Sequence, residues 1–212
     1  MATVNVIGGT ADGNLSKVLA VSGHTWSQVA ALTPSVNTTG TVGACPGRTV
    51  SGGYWELARG YLCLDVTPWQ AGGAYAGSTI TAVTLNLTMD VWAYGNASKV
   101  YYNDWGATLA AGDWGNLAVP ASASYSHARN GGSAHVLSVA LTDPTYILTY
   151  NGRLEIALDS EATEPTGVTT QNMTYLANNA TAALRPSIDI TYDPAASGCP
   201  KMTDHYARLR RG

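Results

Sequence analysis

Residues 59–66, RGYLCLDV, carry large apolar side chains at every second position. Leu62, Leu64 and Val66 share one face of an extended chain, because successive side chains of a β-strand point to opposite faces. The opposite face receives Tyr61, Cys63 and Asp65. The alternation predicts a half-buried strand. Since a strand is stable only within a sheet, this segment commits its part of the chain to β-structure.

Similar short runs of β-branched and aromatic residues recur between clusters of Gly, Pro, Asn and Asp, and helical periodicity is hard to find. They predict further strands over residues 3–7, 79–92, 99–102, 134–141, 145–150, 153–159, 172–177 and 185–192. Residues 24–32 fit either a strand or a helical turn, and residues 34–53 fit a long loop with one edge strand. Roughly eight to ten strands in one chain predict an all-β fold, namely a two-sheet β-sandwich of jelly-roll type with long loops.

One predicted strand contains an irregularity. In residues 79–92 the alternation changes phase between Ile80 and Val83. This change predicts a β-bulge near Thr81, or else a strand that crosses from the rim of the sheet to its core.

Charge divides the chain into a body and a tail. Residues 1–193 form one predicted sandwich domain, and residues 194–212 form a linker and a short basic C-terminal tail. The last 15 residues carry a net charge of +3, whereas the preceding 197 carry −6. The net charge of −3 for the whole chain argues against nucleic acid as a main partner, because binding to phosphates needs a concentrated basic surface.

The composition indicates neutral polar surfaces. Asp, Glu, Lys and Arg make up only 12% of the residues, and Phe is absent, so 12 Tyr and 6 Trp supply the large aromatic volume.

We find no signal peptide and no apolar run long enough to span a membrane, and we therefore expect neither export on a signal of its own nor a membrane partner. Cys45 and Cys199 both lie in Pro/Gly loops and fit either two free thiols or a disulfide.

Catalytic and metal-binding patterns are scarce. Acid–base catalysis needs carboxylates that share a pocket, whereas most acidic residues here stand alone in turn sequences. No nucleophile elbow, P-loop or zinc spacing is present, and we expect a protein without enzymatic activity. The one acidic cluster, DSEATEP, offers Asp159, Glu161 and Glu164 as oxygen ligands for a structural Ca²⁺, although its spacing differs from that of an EF-hand. No other cofactor is expected.

The triplet Asp-Trp-Gly occurs twice, at residues 104–106 and 113–115. Asp can cap a turn, Gly permits positive φ, and the Trp between them can fold over the edge of a sandwich, so packing alone accounts for the repeat. An exposed pair of Trp side chains would instead form a platform for a glycan or an anchor for a protein contact. The residues that would make either contact are Asp104, Trp105, Asp113 and Trp114.

The basic tail is predicted to be a docking element. Its cations can reach an acidic groove on a neighbouring subunit, and two of its apolar residues, three positions apart, share a face if a helical turn forms on contact. The residues concerned are Lys201, Tyr206, Arg208, Leu209, Arg210 and Arg211. The alternative is a solvated terminus without a partner.

The order of several segments resembles the DNRLRE-type domain, a jelly-roll module allied to carbohydrate-binding sandwiches. RGYLCLDVTPW is similar to that family's Arg-x-Tyr-Leu-x-Phe-Asp strand, and GSTITAVTLNL is similar to its Gly-x-x-Ile-x-x-Ala-x-Leu strand. The Trp-bearing segment NDWGATLAAGDWGN and the ending LDSEAT…ALRPSIDITYD extend the resemblance over residues 57–193. Leu64 and Val83 stand where the family usually has Phe and Ala, and both fit a core strand.

Members of this family serve as non-catalytic binding or structural units on secreted enzymes, cell-surface proteins and phage particles. Since the sequence shows neither a signal peptide nor a catalytic domain, the resemblance implies a non-enzymatic virion structural protein. We expect a phage capsid decoration (cement) protein, or failing that a tail component, at the virion surface. Its expected partners are the major capsid protein, further copies of itself, and host or environmental glycans. The alternative is a carbohydrate-binding module or a cell-surface adhesion domain.

Overall fold

Two antiparallel sheets make up most of the computed structural model of the chain. The structure describes residues 1–8, 13–38, 47–51, 53–91, 97–103, 105–106, 108–115, 117, 119–122, 125–126, 135–148, 153–160, 170–172, 174–175 and 181–195. The sequence prediction of an all-β fold is confirmed. The jelly-roll connectivity stays a prediction.

The smaller sheet has five strands within the described residues. They are β1 (Ala2–Ile7), β6 (Thr79–Val91), β10 (His135–Leu141), β13 (Thr174–Tyr175) and β14 (Ser187–Asp193). Their order across the sheet is β1-β14-β6-β10, and β13 pairs with the far end of β6.

The larger sheet has nine strands in the same parts of the chain. They are β2 (Gly13–Ala20), β3 (Ser35–Asn37), β4 (Gly47–Ser51), β5 (Tyr54–Asp65), β7 (Ala97–Asn103), β8 (Val119–Pro120), β9 (Tyr125–Ser126), β11 (Arg153–Ser160) and β12 (Thr170–Asn172). The long strand β5 organises this sheet, because it pairs with β2 along one edge and with β4 and then β11 along the other.

The main hydrophobic core lies between the two sheets. Leu62 and Leu64 of β5 and Tyr102 of β7 meet Leu85 of β6 and Ile188 of β14, and each of these residues is at most 1% exposed. Burying an aliphatic side chain of this size contributes about 1.5–3 kcal/mol. The alternation predicted for residues 59–66 therefore identifies the core face of β5 correctly.

The same strand shows where the prediction was wrong. Tyr61 and Cys63, on the opposite face of β5, are also buried, at 0% and 7% exposed. They form a second cluster with Leu15, Trp105 and Leu109. The middle of β5 is therefore covered on both faces rather than half-buried, because distant segments form an extra layer outside the larger sheet.

The irregularity predicted in β6 is a β-bulge at Thr81. Thr191 of β14 pairs with Ala82, and the next residue, Tyr192, pairs with Ile80, so that Thr81 has no opposite residue. The extra residue turns both Ile80 and Val83 into the core, at 4% and 2% exposed. The first of the two predicted alternatives is therefore confirmed.

Two other local predictions need correction. Residues 145–150 were predicted as a strand, but Pro144–Leu148 is a 3-10 helix that follows Asp143, a residue with a φ of 49°. Proline suits the first turn of such a segment because its missing N–H would have no partner there. The predicted loop at residues 34–53 contains two strands, β3 and β4.

The ambiguous segment at residues 24–32 is the helix α1 (Trp26–Ala31). Its N-terminus is stabilised by Gln28, whose side-chain oxygen accepts a hydrogen bond of 2.7 Å from the N–H of Thr25. This hydrogen bond is one of the two that make up a capping box. The Thr-x-x-Gln spacing of the motif is visible in the sequence. α1 packs Trp26 and Val29 on Leu57 at the outer face of β5.

Candidate binding surfaces

The Trp segment, which we define as the described residues between 105 and 117, lies on the outer face of the larger sheet. Trp105 is 7% exposed, and its ring meets the ring of Tyr61 edge to face, with 5.4 Å between centroids and an interplanar angle of 89°. Leu109 is buried beside them. This part of the segment packs on the sheet as a core layer does.

The two Asp-Trp-Gly triplets form different corners. Gly106 has a φ of 78°, a conformation that favours glycine, whereas Gly115 ends the 3-10 helix Ala111–Gly115. In the second corner the Asp113 carboxylate accepts a hydrogen bond of 2.7 Å from the N–H of Ala110. The first triplet therefore uses its glycine and the second its aspartate. Asp104 lies outside the described residues.

Trp114 is half-buried and has two cationic side chains beside its ring. Lys17 Nζ lies 4.5 Å and Arg59 Cζ 4.3 Å from the ring centroid, both within cation–π distance. Burial, together with the charge of nearby Arg59, lowers the pKa of Lys17. Of the residues predicted to contact a glycan or protein, Trp105 and Asp113 are thus buried and Trp114 keeps a partly accessible ring, and that contact stays a prediction.

Three side chains of the larger sheet attach this outer layer through its backbone. Lys17 donates to the carbonyl of Ala30 in α1 at 2.6 Å, and Arg59 donates to the carbonyl of Trp114. The hydroxyl of Tyr61 donates to the carbonyl of Asp113 at 3.2 Å. These bonds join side chains of the larger sheet to backbone carbonyl groups of the segments that cover it.

The outer face of the smaller sheet carries a row of polar side chains that sequence analysis did not identify as a site. Asn5 and Asn86 donate to the two carboxylate oxygens of Asp189, at 2.7 and 2.8 Å. Ser138 in turn donates to the side-chain oxygen of Asn86 at 2.7 Å. The row crosses β1, β14, β6 and β10 in that order. In the sequence, only the alternation of Asn and Thr along β6 indicates that one side of this sheet is polar.

We call this row and the exposed or half-buried residues around it the polar face. The surrounding residues are Thr3, Ile7, Ala82, Thr84, Val136, Ala140, Ser187 and Thr191. The five strands of the smaller sheet contain no lysine or arginine. The polar face therefore offers hydroxyl, amide and carboxylate groups without cationic side chains from these strands, and internal hydrogen bonds hold the row in place.

A third surface lies on β2 and β5 of the larger sheet. Val18 and Tyr54 are 49% and 55% exposed, and they flank the half-buried Glu56 at neighbouring positions of β2 and β5. Burial raises the pKa of the Glu56 carboxyl above its ordinary value of 4.5. Folding thus disfavours the charged form of this group.

We expect the substitution Glu56→Gln to raise the free energy of unfolding at neutral pH. Between pH 4.5 and the higher pKa of the folded state, the folded chain binds more protons than the unfolded chain, so stability falls as pH rises. Glutamine removes this penalty, and the advantage should vanish below pH 4.5, where both states are protonated. Chemical unfolding over this pH range measures the difference.

Asp65→Asn provides a control of opposite sign. The side chain and then the backbone of Thr67 donate hydrogen bonds that lower the pKa of Asp65. Its stabilisation is present at neutral pH and is lost as pH falls, so the Asn variant should be less stable at pH 7. If Glu56→Gln also destabilised the protein at neutral pH, the account of Glu56 would be wrong.

The remaining predicted sites are placed only in part. Asp159 lies on β11, opposite Arg59 of β5 and Lys99 of β7 in the register of the backbone. Glu161 and Glu164, the two loop cysteines, and the tail residues from Lys201 to Arg211 lie outside the described residues. Within the described ranges, no three His, Cys, Asp or Glu residues are grouped as metal ligands would be.

None of the helices in the described ranges is long and apolar enough to cross a membrane. Comparison of the sequence with models of known protein families, and with curated protein sequences, gives no match. The surfaces that the structure offers are therefore the basis for a functional proposal.

Proposed function

We propose that this protein is a non-enzymatic virion structural protein, a phage capsid decoration protein that contacts the capsid through the polar face. The observation that carries this proposal is the hydrogen-bonded row formed by Asn5, Asp189, Asn86 and Ser138. Interface cores are depleted in charged residues, and in this row only Asp189 is charged, with both of its carboxylate oxygens already bound by amides. Because its side chains are already held by one another, less conformational entropy is lost on binding.

The use of the aromatic residues supports a structural role. Trp26, Trp69 and Trp105 are at most 9% exposed, and the ring of Trp114 lies beside Lys17 and Arg59. These large side chains stabilise the sandwich and its outer layer. The resemblance to DNRLRE-type modules, which occur in phage structural proteins, points in the same direction.

The basic tail is a second predicted contact. Its net charge of +3 is opposite to that of the body, and such a segment can bind an acidic groove on a neighbouring subunit. In this proposal the polar face provides the shape-specific contact and the tail adds an electrostatic one. Added salt should therefore weaken attachment without abolishing it.

A carbohydrate-binding module is the second candidate, and the same row favours it. Amide, carboxylate and hydroxyl groups are the partners that sugar hydroxyls use. A glycan would then lie across β14 and β6, where the Asp189 carboxylate lies between two amides. A capsid contact and a glycan contact would use the same surface.

Two variants distinguish these candidates. Ser138→Arg and Thr191→Arg each place a long cation on the polar face, whereas Ser27→Arg places one at an exposed position of α1 and serves as the matched control. The purified variants are added to phage particles that lack this protein. If the protein decorates capsids, the first two variants should fail to bind these particles, and the control should bind them. If all three rebind equally, the polar face is not the capsid contact. Binding of the wild type to a glycan array that the first two variants lose favours the carbohydrate-binding module.

A further inference from the structure

The strand β1 forms one edge of the smaller sheet, and its hydrogen-bonding pattern can be assigned. The N–H of Gly8 donates to the carbonyl of Pro186 at 2.7 Å, and the register places Ile7 opposite Ser187. Backbone groups of alternate residues in a strand point to opposite edges. The even-numbered residues of β1 therefore bond to β14, and Thr3, Asn5 and Ile7 direct their N–H and C=O groups outward.

Side-chain contacts support this assignment. In antiparallel sheets, side chains approach most closely in pairs that are not joined by backbone hydrogen bonds. The hydroxyls of Thr3 and Thr191 are 3.2 Å apart, and Asn5 donates to Asp189 at 2.7 Å. Both pairs are directly opposite in the register.

The free edge of β1 lacks the usual protection against strand pairing. Its sequence ATVNVI contains no charged residue and no proline, and it has no bulge in its pairing with β14. Within the described residues, β14 is the only strand that pairs with it. Thr3, Asn5 and Ile7 are exposed, and Val4 and Val6 are only half-buried against the core. Natural proteins usually block such an edge, so an open one indicates a partner strand.

The other edge of the smaller sheet is covered at one end. Immediately after β10, the N–H of Thr142 donates to the carbonyl of Ala121 at 2.7 Å. The hydroxyl of Thr142 also donates to the carbonyl of Pro120. Residues of the larger sheet and its connection thus cover the end of β10, whereas β1 has no such cover among the described residues.

We propose that β1 pairs antiparallel with β1 of a second copy of the chain, around a twofold axis at Asn5. Thr3 of one copy then lies opposite Ile7 of the other, and the outward N–H and C=O groups exchange about six hydrogen bonds. A second copy fits this edge because β1 is self-complementary. In the pair, no charged side chains of β1 face each other, and the β-branched side chains of Thr3 and Ile7 lie opposite one another. The two small sheets become one continuous sheet, and Val4 and Val6 are buried further.

This inference does not depend on the proposed function, because the pairing uses the strand edge and leaves the polar face accessible. A decoration protein and a carbohydrate-binding module could both be dimers of this kind. Failure of particle binding and failure of dimerisation would therefore be observed separately.

The test compares masses in solution. Sedimentation equilibrium of the full chain should give about twice the 22.1 kDa of one copy at high concentration. Thr3→Pro removes an outward N–H that β14 does not use but that the second copy would need. This variant should therefore fold and have the mass of one copy. Ala140→Pro, on β10, and Ser138→Lys, on the part of the polar face that is farthest from β1, should keep the double mass.

Amide exchange gives a second readout that does not depend on a folded variant. In the wild type, the amides of Thr3, Asn5 and Ile7 should become protected as concentration rises, while those of Val4 and Val6 are protected throughout. A wild type that stays at single mass up to its solubility limit overturns the proposal. A double mass that Thr3→Pro retains also overturns it. So does a double mass that only Ser138→Lys abolishes, because this result would indicate that the polar faces stack on each other.

Discussion

Replacing Trp105 by Ala is expected to lower the free energy of unfolding by about 3–5 kcal/mol. The ring is 7% exposed and contacts Tyr61 edge to face, so its removal leaves a cavity under the outer layer. The aromatic pair itself adds about 0.5–1.5 kcal/mol beyond the area that it buries. Denaturant unfolding monitored by circular dichroism measures the loss, because this signal does not rely on the deleted indole.

Trp114→Ala is the matched control for this result. Its ring is partly exposed and lies beside Lys17 and Arg59, and such cation–π contacts contribute about 0.5–2 kcal/mol. We expect a clearly smaller destabilisation than for Trp105→Ala. If both variants kept the wild-type stability but lost binding to a glycan, the Trp segment would be a sugar platform rather than a packed layer.

Gly73→Ala should destabilise the protein by about 3 kcal/mol, the upper end of what overpacking usually costs. A Cβ atom at this position would lie 2.4 Å from the carbonyl oxygen of Pro68 and 2.7 Å from that of Thr67. Both are backbone atoms and cannot rotate away. The Pro68 carbonyl also accepts the N–H of Tyr75, whose ring packs on Trp69 and Tyr192, so a shift there disturbs an aromatic cluster.

Gly112→Ala is the control for the loss of a glycine as such. Gly112 lies in the 3-10 helix Ala111–Gly115, and a Cβ there meets nothing within 4 Å. Its free energy of unfolding should remain within about 0.5 kcal/mol of the wild type. Equal effects of the two substitutions in thermal or denaturant unfolding would contradict the close packing of residues 67–75.

The sequence predicts the strands whose alternation is set by the core between the sheets. Leu62, Leu64 and the bulge at Thr81 follow from the period of two, because a core face leaves its signal in the strand that carries it. The second layer leaves no such signal. Whether Tyr61 is exposed depends on Trp105, which lies 44 positions further along the chain, and a local pattern cannot show a contact of this range.

Local chemistry explains two other differences. The 3-10 helix at Pro144–Leu148 has the composition of a strand but follows Asp143 and begins with Pro144, a start signal that the β-branched residues obscure. The helix α1 likewise has its signal in the spacing of Thr25 and Gln28. Both segments are short. In short segments the conformation is determined more by capping and packing than by the intrinsic propensities of the residues.

The polar face could be anticipated only in part. The alternate Asn and Thr residues of β6 indicate a polar side, but the row depends on which strands are neighbours. Asn5 and Asp189 come from opposite ends of the chain, and only the order β1-β14-β6-β10 places them beside Asn86. A site built across a sheet therefore needs the topology before its residues can be recognised.

The most direct test of the proposed function is a quantitative mass-spectrometric inventory of purified phage particles from a culture that produces this protein. We expect the chain to copurify through density gradients at a fixed ratio to the major capsid protein, as a decoration protein on a symmetric shell must. A protein that is abundant in the lysate but absent from the particles would contradict the account.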